Sequence, residues 1–308
     1  MHTLIPTYYK NFKCIADKCR HSCCIGWEID IDSNKLNYYN SLSGKIALYL
    51  KENIDLQPEP HFILKEGDRC PFLKDNGLCH LICELGEEAL CDICADHPRF
   101  RNFFSGGVEM GLGLCCEAAA EIVLKFSDPF FLEGEGDIYT TDEEKYFKNK
   151  RDKCISIMEQ QIPLSKRFGK LLTEVDASLE DINLEYWTEF LFGLERLDDS
   201  WTEVLNSFKK IKQTDFANPD GENYLLPLKN LTVYFIYRHM PLYLNDGDIV
   251  SKIKFAVLGT LFIHTLAVTF EHKYAGYLEA LCDMARMFSS EIEYSDENLS
   301  AVFNELMW

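Results

Sequence analysis

Eleven of the 13 cysteines in this 308-residue chain lie before residue 117, at positions 14, 19, 23, 24, 70, 79, 83, 91, 94, 115 and 116; only Cys154 and Cys282 follow. Thiolate sulfur is a soft ligand that selects zinc, copper(I) or iron–sulfur clusters, and four thiolates suffice for a zinc site or a cubane. Eleven exceed one site, so either two sites are present or several of these thiols are not ligands. A zinc ribbon needs two C-x2-C knuckles, and this chain has one, Cys91/Cys94. The C-x3-C-x2-C of a radical-enzyme cubane starts well at Cys19 and Cys23 but reaches Gly26 at its third position. Two-cluster ferredoxin spacing is absent as well.

The elements that must position these thiols are short. Trp27, Ile29 and Ile31 alternate with Glu28, Asp30 and Asp32, the period of a half-buried strand, and a helix is predicted from near Ser33. If that strand began at Cys23, then Cys23 and Cys24 would point in opposite directions and could hardly serve one metal ion. "DNG" at Asp75–Gly77 and "SGG" at Ser105–Gly107 are hairpin signals, and "CEAAAEIVLKF" from Cys116 is a helix. The stretch 127–140, with one Pro, two Gly and no periodicity, reads as a linker.

Beyond it, Thr141 and Glu144 form a capping box that opens a series of amphipathic helices. Their stripes are Leu164, Phe168, Leu171, Leu172 and Val175; then Trp187, Phe190, Leu191, Leu194 and Leu197; then Trp201, Val204, Leu205, Phe208 and Ile211, the last opened by a Ser200/Glu203 box. The expected architecture is mostly α (α+β), with a cysteine-rich metal-binding module over 1–126, a linker over 127–140 and a helical domain over 141–308.

A net charge of −19 argues against a nucleic-acid partner, which calls for clustered Lys and Arg; the surplus carboxylates are read as solubilising. The N-terminal "MHTLIPTYYK" has no basic n-region leading into an apolar h-region, so the chain is expected to be cytoplasmic. In that reducing compartment its cysteines are metal ligands or catalytic groups sooner than disulfides. The apolar run Phe255–Phe270 is short for a membrane span and is interrupted by Gly259, His264 and three threonines. It is read as a buried helix, with no membrane partner, and His264 as a satisfied core histidine.

Taken in order, C-x4-C-x3-C-C, "RCPFL", "GLC", "LGEEALCDIC", "HPR" and "EMGLGLCCEAA" span Lys13 to Ala119. With these motifs the chain resembles the flagellin lysine N-methylases, within the wider group of zinc- or iron-chelating cysteine-rich proteins. The resemblance implies methyl transfer from S-adenosylmethionine to the ε-amino group of flagellin lysines, with a 4Fe-4S cluster held by cysteines. It carries over Cys14, Cys19, Cys23, Cys24, Cys70, Cys79, Cys94 and Cys115 as the metal ligands, which is two four-thiolate sites or one site with structural thiols. Cys83, Cys91 and Cys116 stand where the family pattern does not require cysteine, and are expected not to be ligands. His97 replaces an aromatic residue in "HPR", and Ala120 stands where the family often has arginine.

Two further residues enter as candidates. Arg99 presents the fork of donors that matches the carboxylate of S-adenosylmethionine, the alternative being a salt bridge or cap within the cysteine module. Glu109 is the candidate to deprotonate or orient the substrate ammonium, the alternative being an ion pair with Arg99 or Arg101. His21, His80 and His97 lie among the cysteines and are read as surface or supporting groups. No G-x-G-x-x-G loop follows a strand, so a Rossmann-type methyltransferase frame is unsupported. A second function class is a non-enzymatic adaptor, with structural zinc in the cysteine module and a helical domain that docks a partner.

Overall fold

The computed structural model describes residues 2–178, 184–209 and 216–307. Strand β1 (His2–Pro6) is followed by a cysteine-rich excursion, after which the chain returns to the sheet that β1 belongs to. Two compact units result: Lys13–Arg99, and Met1–Phe12 together with Phe100–Trp308. These limits differ from the expected 1–126 and 141–308. Residues 100–126 belong with the helices, and so does the stretch read as a linker.

In the unit Lys13–Arg99, helix α1 (Ser33–Ser41) starts where predicted, its Asp32 cap accepting from Lys35 N at 2.9 Å. Helix α2 (Lys45–Glu52) follows, then strands β2 (Ile54–Asp55) and β3 (His61–Phe62), which pair antiparallel, and the short helices α3 (His80–Leu85) and α4 (Asp92–Asp96). Ile29, Ile31, Tyr39, Phe62, Phe72 and Leu81 form a small core that includes the thiols of Cys70 and Cys91. The strand expected over Trp27–Asp32 does not form. Gly26 turns the chain at φ 93, and the segment makes isolated bridges, Ile25 with Arg69 and Asp30 with His61. Its alternation survives as burial, with Ile29 and Ile31 inside and Glu28 and Asp30 outside. The "DNG" turn is present, with Lys74 N donating to Leu78 O at 2.9 Å and Gly77 at φ 80.

In the other unit, β4 (Arg99–Phe104) and β5 (Gly107–Leu112) are joined by Ser105 and Gly106, the predicted hairpin. The sheet order is β4-β5-β1-β6, with β1 parallel to β5 (Leu4 opposite Glu109) and antiparallel to β6 (Leu132–Glu133). Strand β6 lies inside the expected linker. Thr7 N donates to Phe131 O at 3.1 Å and Gly106 N to Ile138 O at 3.0 Å, and Ile138 and Tyr139 are buried, so 127–140 is built into the unit. Without periodicity such a segment looks like a tether, although its backbone is paired by distant partners.

Helices α5 (Glu117–Lys125), α6 (Asp142–Met158), α7 (Leu164–Glu174), α8 (Leu184–Phe192) and α9 (Asp199–Phe208) come next. They precede α10 (Leu225–His239), α11 (Tyr243–Asp246), α12 (Val250–Phe270), α13 (Tyr277–Phe288) and α14 (Asp296–Leu306). Helix α12 is apolar all round and packs against α10, α13 and α14. It is long and apolar enough to cross a membrane, but 78% of that apolar window is buried inside the unit, as the core-helix reading requires.

The Thr141/Glu144 capping box opens α6 as predicted. Helix α9 differs: Asp198, not Ser200, caps it, accepting from Ser200 N at 2.8 Å. The Glu291 carboxylate, which accepts from Asp198 N at 2.6 Å, sets that start from a distant part of the chain. Leu194 and Leu197 lie past the end of α8, and Leu197 is exposed. Ile211 lies outside the described residues.

Candidate metal centre and buried charge networks

Backbone pairing gathers the thiols of the cysteine-rich unit. Cys70 N donates to Cys24 O at 2.8 Å, and the turn after Leu73 brings Cys79 back across from Leu73. Cys91 precedes α4 and Cys94 lies one turn along it. Tyr39, whose hydroxyl donates to Ala89 O at 2.6 Å, stands 3.4 Å from Cys91 Sγ.

The thiols act on one another electrostatically. A hydrogen bond from Cys94 holds Cys91 below the ordinary thiol range, and the same bond, with burial and the neighbouring Cys91, Cys24 and Cys70, pushes Cys94 far up. Cys24 is lowered to about 7, first by a hydrogen bond with Cys23, against burial and with help from Ser22 and Arg69. Burial pushes Cys70 up to about 12, opposed by the amides of Phe72 and Leu73 and reinforced by Cys24 and Cys79. Cys79 is raised by burial against the amides of Ile82 and Leu81.

Cys24, Cys70, Cys79, Cys91 and Cys94 are therefore electrostatic neighbours. Buried thiols that raise one another lack a counter-charge, which a soft cation supplies. Amides that hydrogen-bond to sulfur are the kind of support that surrounds metal-bound thiolates. The donor chemistry thus fits a zinc or iron–sulfur group. As they stand, no group of three or more His, Cys, Asp or Glu among the described residues is arranged to hold an ion.

Two expectations change here. Cys23 and Cys24 are not on opposite faces of a strand: they sit in a turn closed by Ile25 N donating to Ser22 O at 3.2 Å, with their sulfurs hydrogen-bonded. Cys91, expected not to be a ligand, lies inside the group beside Cys94. The signal that would have found it was the C-x2-C itself. Cys14 and Cys23 are in the same unit at exposed positions and Cys19 is half-buried there, its Sγ 3.3 Å from His21 O, whereas Cys115 belongs to the other unit. No disulfide forms among the described residues. Arg99 closes α4, donating to Ala95 O at 3.0 Å and His97 O at 3.5 Å, the local cap that was its alternative reading. His97, whose ring is tilted against that of Trp27 with centroids 5.8 Å apart, is lowered to about 4 by burial and by Arg99.

In the other unit Glu109 is 0% exposed and is clasped by Arg151, Nη1 at 2.7 Å and Nη2 at 2.8 Å, while the Tyr139 hydroxyl also donates to it. Its ion-pair partner is thus Arg151 rather than Arg99 or Arg101. A carboxylate with both oxygens so engaged is a structural counter-ion and not a free base. A second network surrounds Glu293, on the π-helical turn Ser289–Glu293. It accepts from the Tyr234 hydroxyl at 3.1 Å and pairs with His239 Nε2 at 2.6 Å and Arg238 Nε at 3.4 Å. Burial works to raise Glu293, but the charge of Arg238 and the bond to His239 outweigh it and hold it down to about 2. Arg238 lies 5.0 Å from the Phe100 ring and 4.7 Å from that of Tyr294. Cys115, pushed up to about 12 by burial, is hydrogen-bonded to Tyr294. The sequence signal for this network was Arg238 and His239 at the end of the apolar α10, one turn after Tyr234. Cys154 is fully buried as a core thiol, and His264 is satisfied by the Tyr277 hydroxyl at 2.8 Å and Asn218 O at 3.2 Å.

Comparison with known proteins adds a family. The model of the FliB lysine N-methylase C-terminal domain matches residues 111–307. That stretch includes Cys115 and the Glu293 network but none of the other expected metal ligands, and neither Arg99 nor Glu109. The lysine-N-methylases of Salmonella choleraesuis and Salmonella typhimurium are each 27% identical over 135 residues, 41% of this chain and 33% of theirs. The flagellar biosynthetic protein FliU of Salmonella muenchen is 27% identical over 134 residues, 41% of this chain and 79% of its own. The matched stretch is thus a third of the length of the two methylases. No solved structure matches the chain significantly.

Proposed function

Because the chain belongs to the FliB lysine N-methylase C-terminal domain family, we propose that it is a protein-lysine N-methyltransferase. In this reading it moves a methyl group from S-adenosylmethionine to the ε-amino group of lysines on flagellin, or on another lysine-presenting protein, in the cytoplasm. Family membership is the observation that carries it, and the names lysine-N-methylase and FliU among the relatives support the enzyme class and the flagellar setting. The acceptor ammonium loses a proton first. Its nitrogen lone pair then takes the methyl carbon as the carbon–sulfur bond breaks, the bonding pair staying on sulfur. The sulfonium is already a good leaving group, so the protein's own task is to align donor and acceptor, exclude water and receive the proton. Glu109 is committed to Arg151 and does not fill the last role.

We also propose that Cys24, Cys70, Cys79, Cys91 and Cys94 supply the thiolates for a 4Fe-4S cluster, with Cys23 at their edge. The support is their mutual electrostatic coupling and the amides directed at Cys70 and Cys79. Bound there, a cluster would supply redox or Lewis-acid chemistry.

Incubation of the anaerobically purified chain with methyl-labelled S-adenosylmethionine and flagellin tests the enzyme reading. Label on flagellin lysines is expected, and its absence with metal in place sinks the assignment. Broad absorption near about 400 nm that bleaches with dithionite is expected for the cluster. A colourless protein with stoichiometric zinc would favour the adaptor instead.

A further inference from the structure

Strand β6 ends the sheet, and its outer side is open. The register sets Ile5 opposite Glu133 and Pro6 opposite Leu132, and Thr7 N donates to Phe131 O at 3.1 Å. Thr7–Phe131 and Ile5–Glu133 are therefore the hydrogen-bonded pairs of this antiparallel ladder, and the N–H and C=O of Leu132, between them, point away from β1. Neither group has a hydrogen-bond partner among the described residues. The edge continues past β6: a side chain at Gly134 would run into Thr3 O and one at Gly136 into the His2 ring, so this stretch lies flat along β1. Residues 133–137 are exposed throughout. Such an edge is a template for another strand. Glu133, Glu135 and Asp137 charge it negatively, which turns away acidic strands and suits one that carries lysines.

Beside this edge, between β6 and α6, lies a cavity of about 650 Å³. Leu4, Phe130, Phe131, Leu132 and Ile155 make most of its wall apolar, and Phe131 is 62% exposed. The charged side chains around it are neutralised in place: Arg151 by Glu109, Asp152 by Lys148 at 2.5 Å and Glu159 by Lys229 at 3.0 Å. No charge is left over for a ligand, so the cavity selects uncharged, apolar groups. A volume between about 300 and 1,000 Å³ holds a group the size of a small molecule, which for a polypeptide is more than one side chain.

We propose that this edge and cavity hold an extended, lysine-bearing segment of the substrate protein. The segment adds as a strand outside β6, pairs its backbone with Leu132, seats apolar side chains in the cavity and lays lysines along Glu133, Glu135 and Asp137. Main-chain pairing is indifferent to sequence, and the apolar cavity and acidic strip supply the selection. The chain then takes its substrate in an unfolded form, because a folded segment has its backbone groups already paired. That the segment belongs to a substrate rests on the methyltransferase reading above; the open edge, the apolar cavity and the acidic strip stand without it.

Fluorescence anisotropy of the full chain with a labelled peptide in which Lys alternates with Val and Leu tests the site without any turnover. Binding is expected, and it should be lost when alternate peptide nitrogens are methylated, when Glu replaces Lys, or when Ser replaces Val and Leu. Ser156 is an exposed α6 residue on the cavity wall, so Ser156→Trp fills the space without touching the core and should abolish binding at unchanged melting temperature. Leu132→Pro removes the outward N–H, which β1 does not use, and should weaken binding roughly tenfold. Wild-type affinity in both variants, or equal binding of the N-methylated peptide, would overturn the assignment. A dimer abolished by Leu132→Pro, with no peptide bound, would give the edge to a second copy and overturn it too, and a chain that binds none of the peptides overturns it outright. Methyl transfer to flagellin freshly diluted from urea should likewise fall in both variants. Transfer undiminished in them would leave the methyltransferase reading standing and place the substrate elsewhere. Conversely, peptide bound as described with no transfer to any lysine substrate would keep the site and sink the reading.

Discussion

Replacing Glu109 by Gln leaves the Arg151 guanidinium without a counter-charge at a position 1% exposed. The pair is doubly hydrogen-bonded and fully desolvated, so the loss is that of a broken buried pair, about 3–5 kcal/mol. At roughly 2–4 °C per kcal/mol for a unit of this size, the melting temperature should fall by about 6–20 °C. Arg151→Met should cost a similar amount for the mirror-image reason. The double variant Glu109→Leu/Arg151→Met removes both charges together, and apolar replacement of a whole buried pair is often neutral or stabilising. Its melting temperature should therefore return close to that of the wild type, a strong non-additivity. Thermal and urea melts followed by circular dichroism measure all four proteins, alongside methyl transfer per folded molecule. A Glu109→Gln protein that melted within about 2 °C of wild type but had lost transfer would refute this reasoning and return Glu109 to the catalytic role its sequence position suggested.

Other outcomes follow from the same geometry. Cys70→Ser should lose bound metal and visible absorption, whereas Cys154→Ser, in the helical core, should keep both; metal analysis after anaerobic purification decides. Thr141→Ala removes the side chain that accepts from Glu144 N at 3.1 Å and should cost about 0.5–2 kcal/mol, read from urea midpoints. Burial lowers His239 and His264, so the unfolded chain takes up their protons first. Their contribution is full above about pH 6.5 and is lost as pH falls below it. Glu144 and Glu293, each held down to about 2 against burial by hydrogen bonds or nearby charge, extend the loss below about pH 4.5, while Glu291, raised by burial, works the other way. Melting temperature should therefore hold from pH 8 to about pH 6.5 and decline from there to pH 4. His239→Gln should flatten the upper part of that decline, and an unchanged slope there would show that His239 is not its source.

What the sequence by itself determined is what local rules govern. The Asp32 and Thr141 starts, the stripe from Leu164 to Val175, the turns at 75–77 and 105–107 and the burial of α12 each follow from residues within a turn or two of one another. The chemistry of the thiols and their concentration before residue 117 were equally legible, as was the core placement of His264. Tertiary structure decided which groups meet. Nothing near Glu109 marks Arg151, 42 residues on, as its partner; that follows from a strand of the β1 sheet packing beside α6. The Cys91/Cys94 pair meets Cys24 and Cys70 only through the fold of the cysteine-rich unit, and Asp198 displaces Ser200 as a cap because Glu291 reaches it from the far end of the chain. The stretch 127–140 looked like a tether because its partners, Thr7 and Gly106, are distant in sequence. Periodicity and capping act over a few residues and are written in composition, whereas charge neutralisation, thiol grouping and the limits of a unit depend on where the chain returns, which burial of the whole core settles.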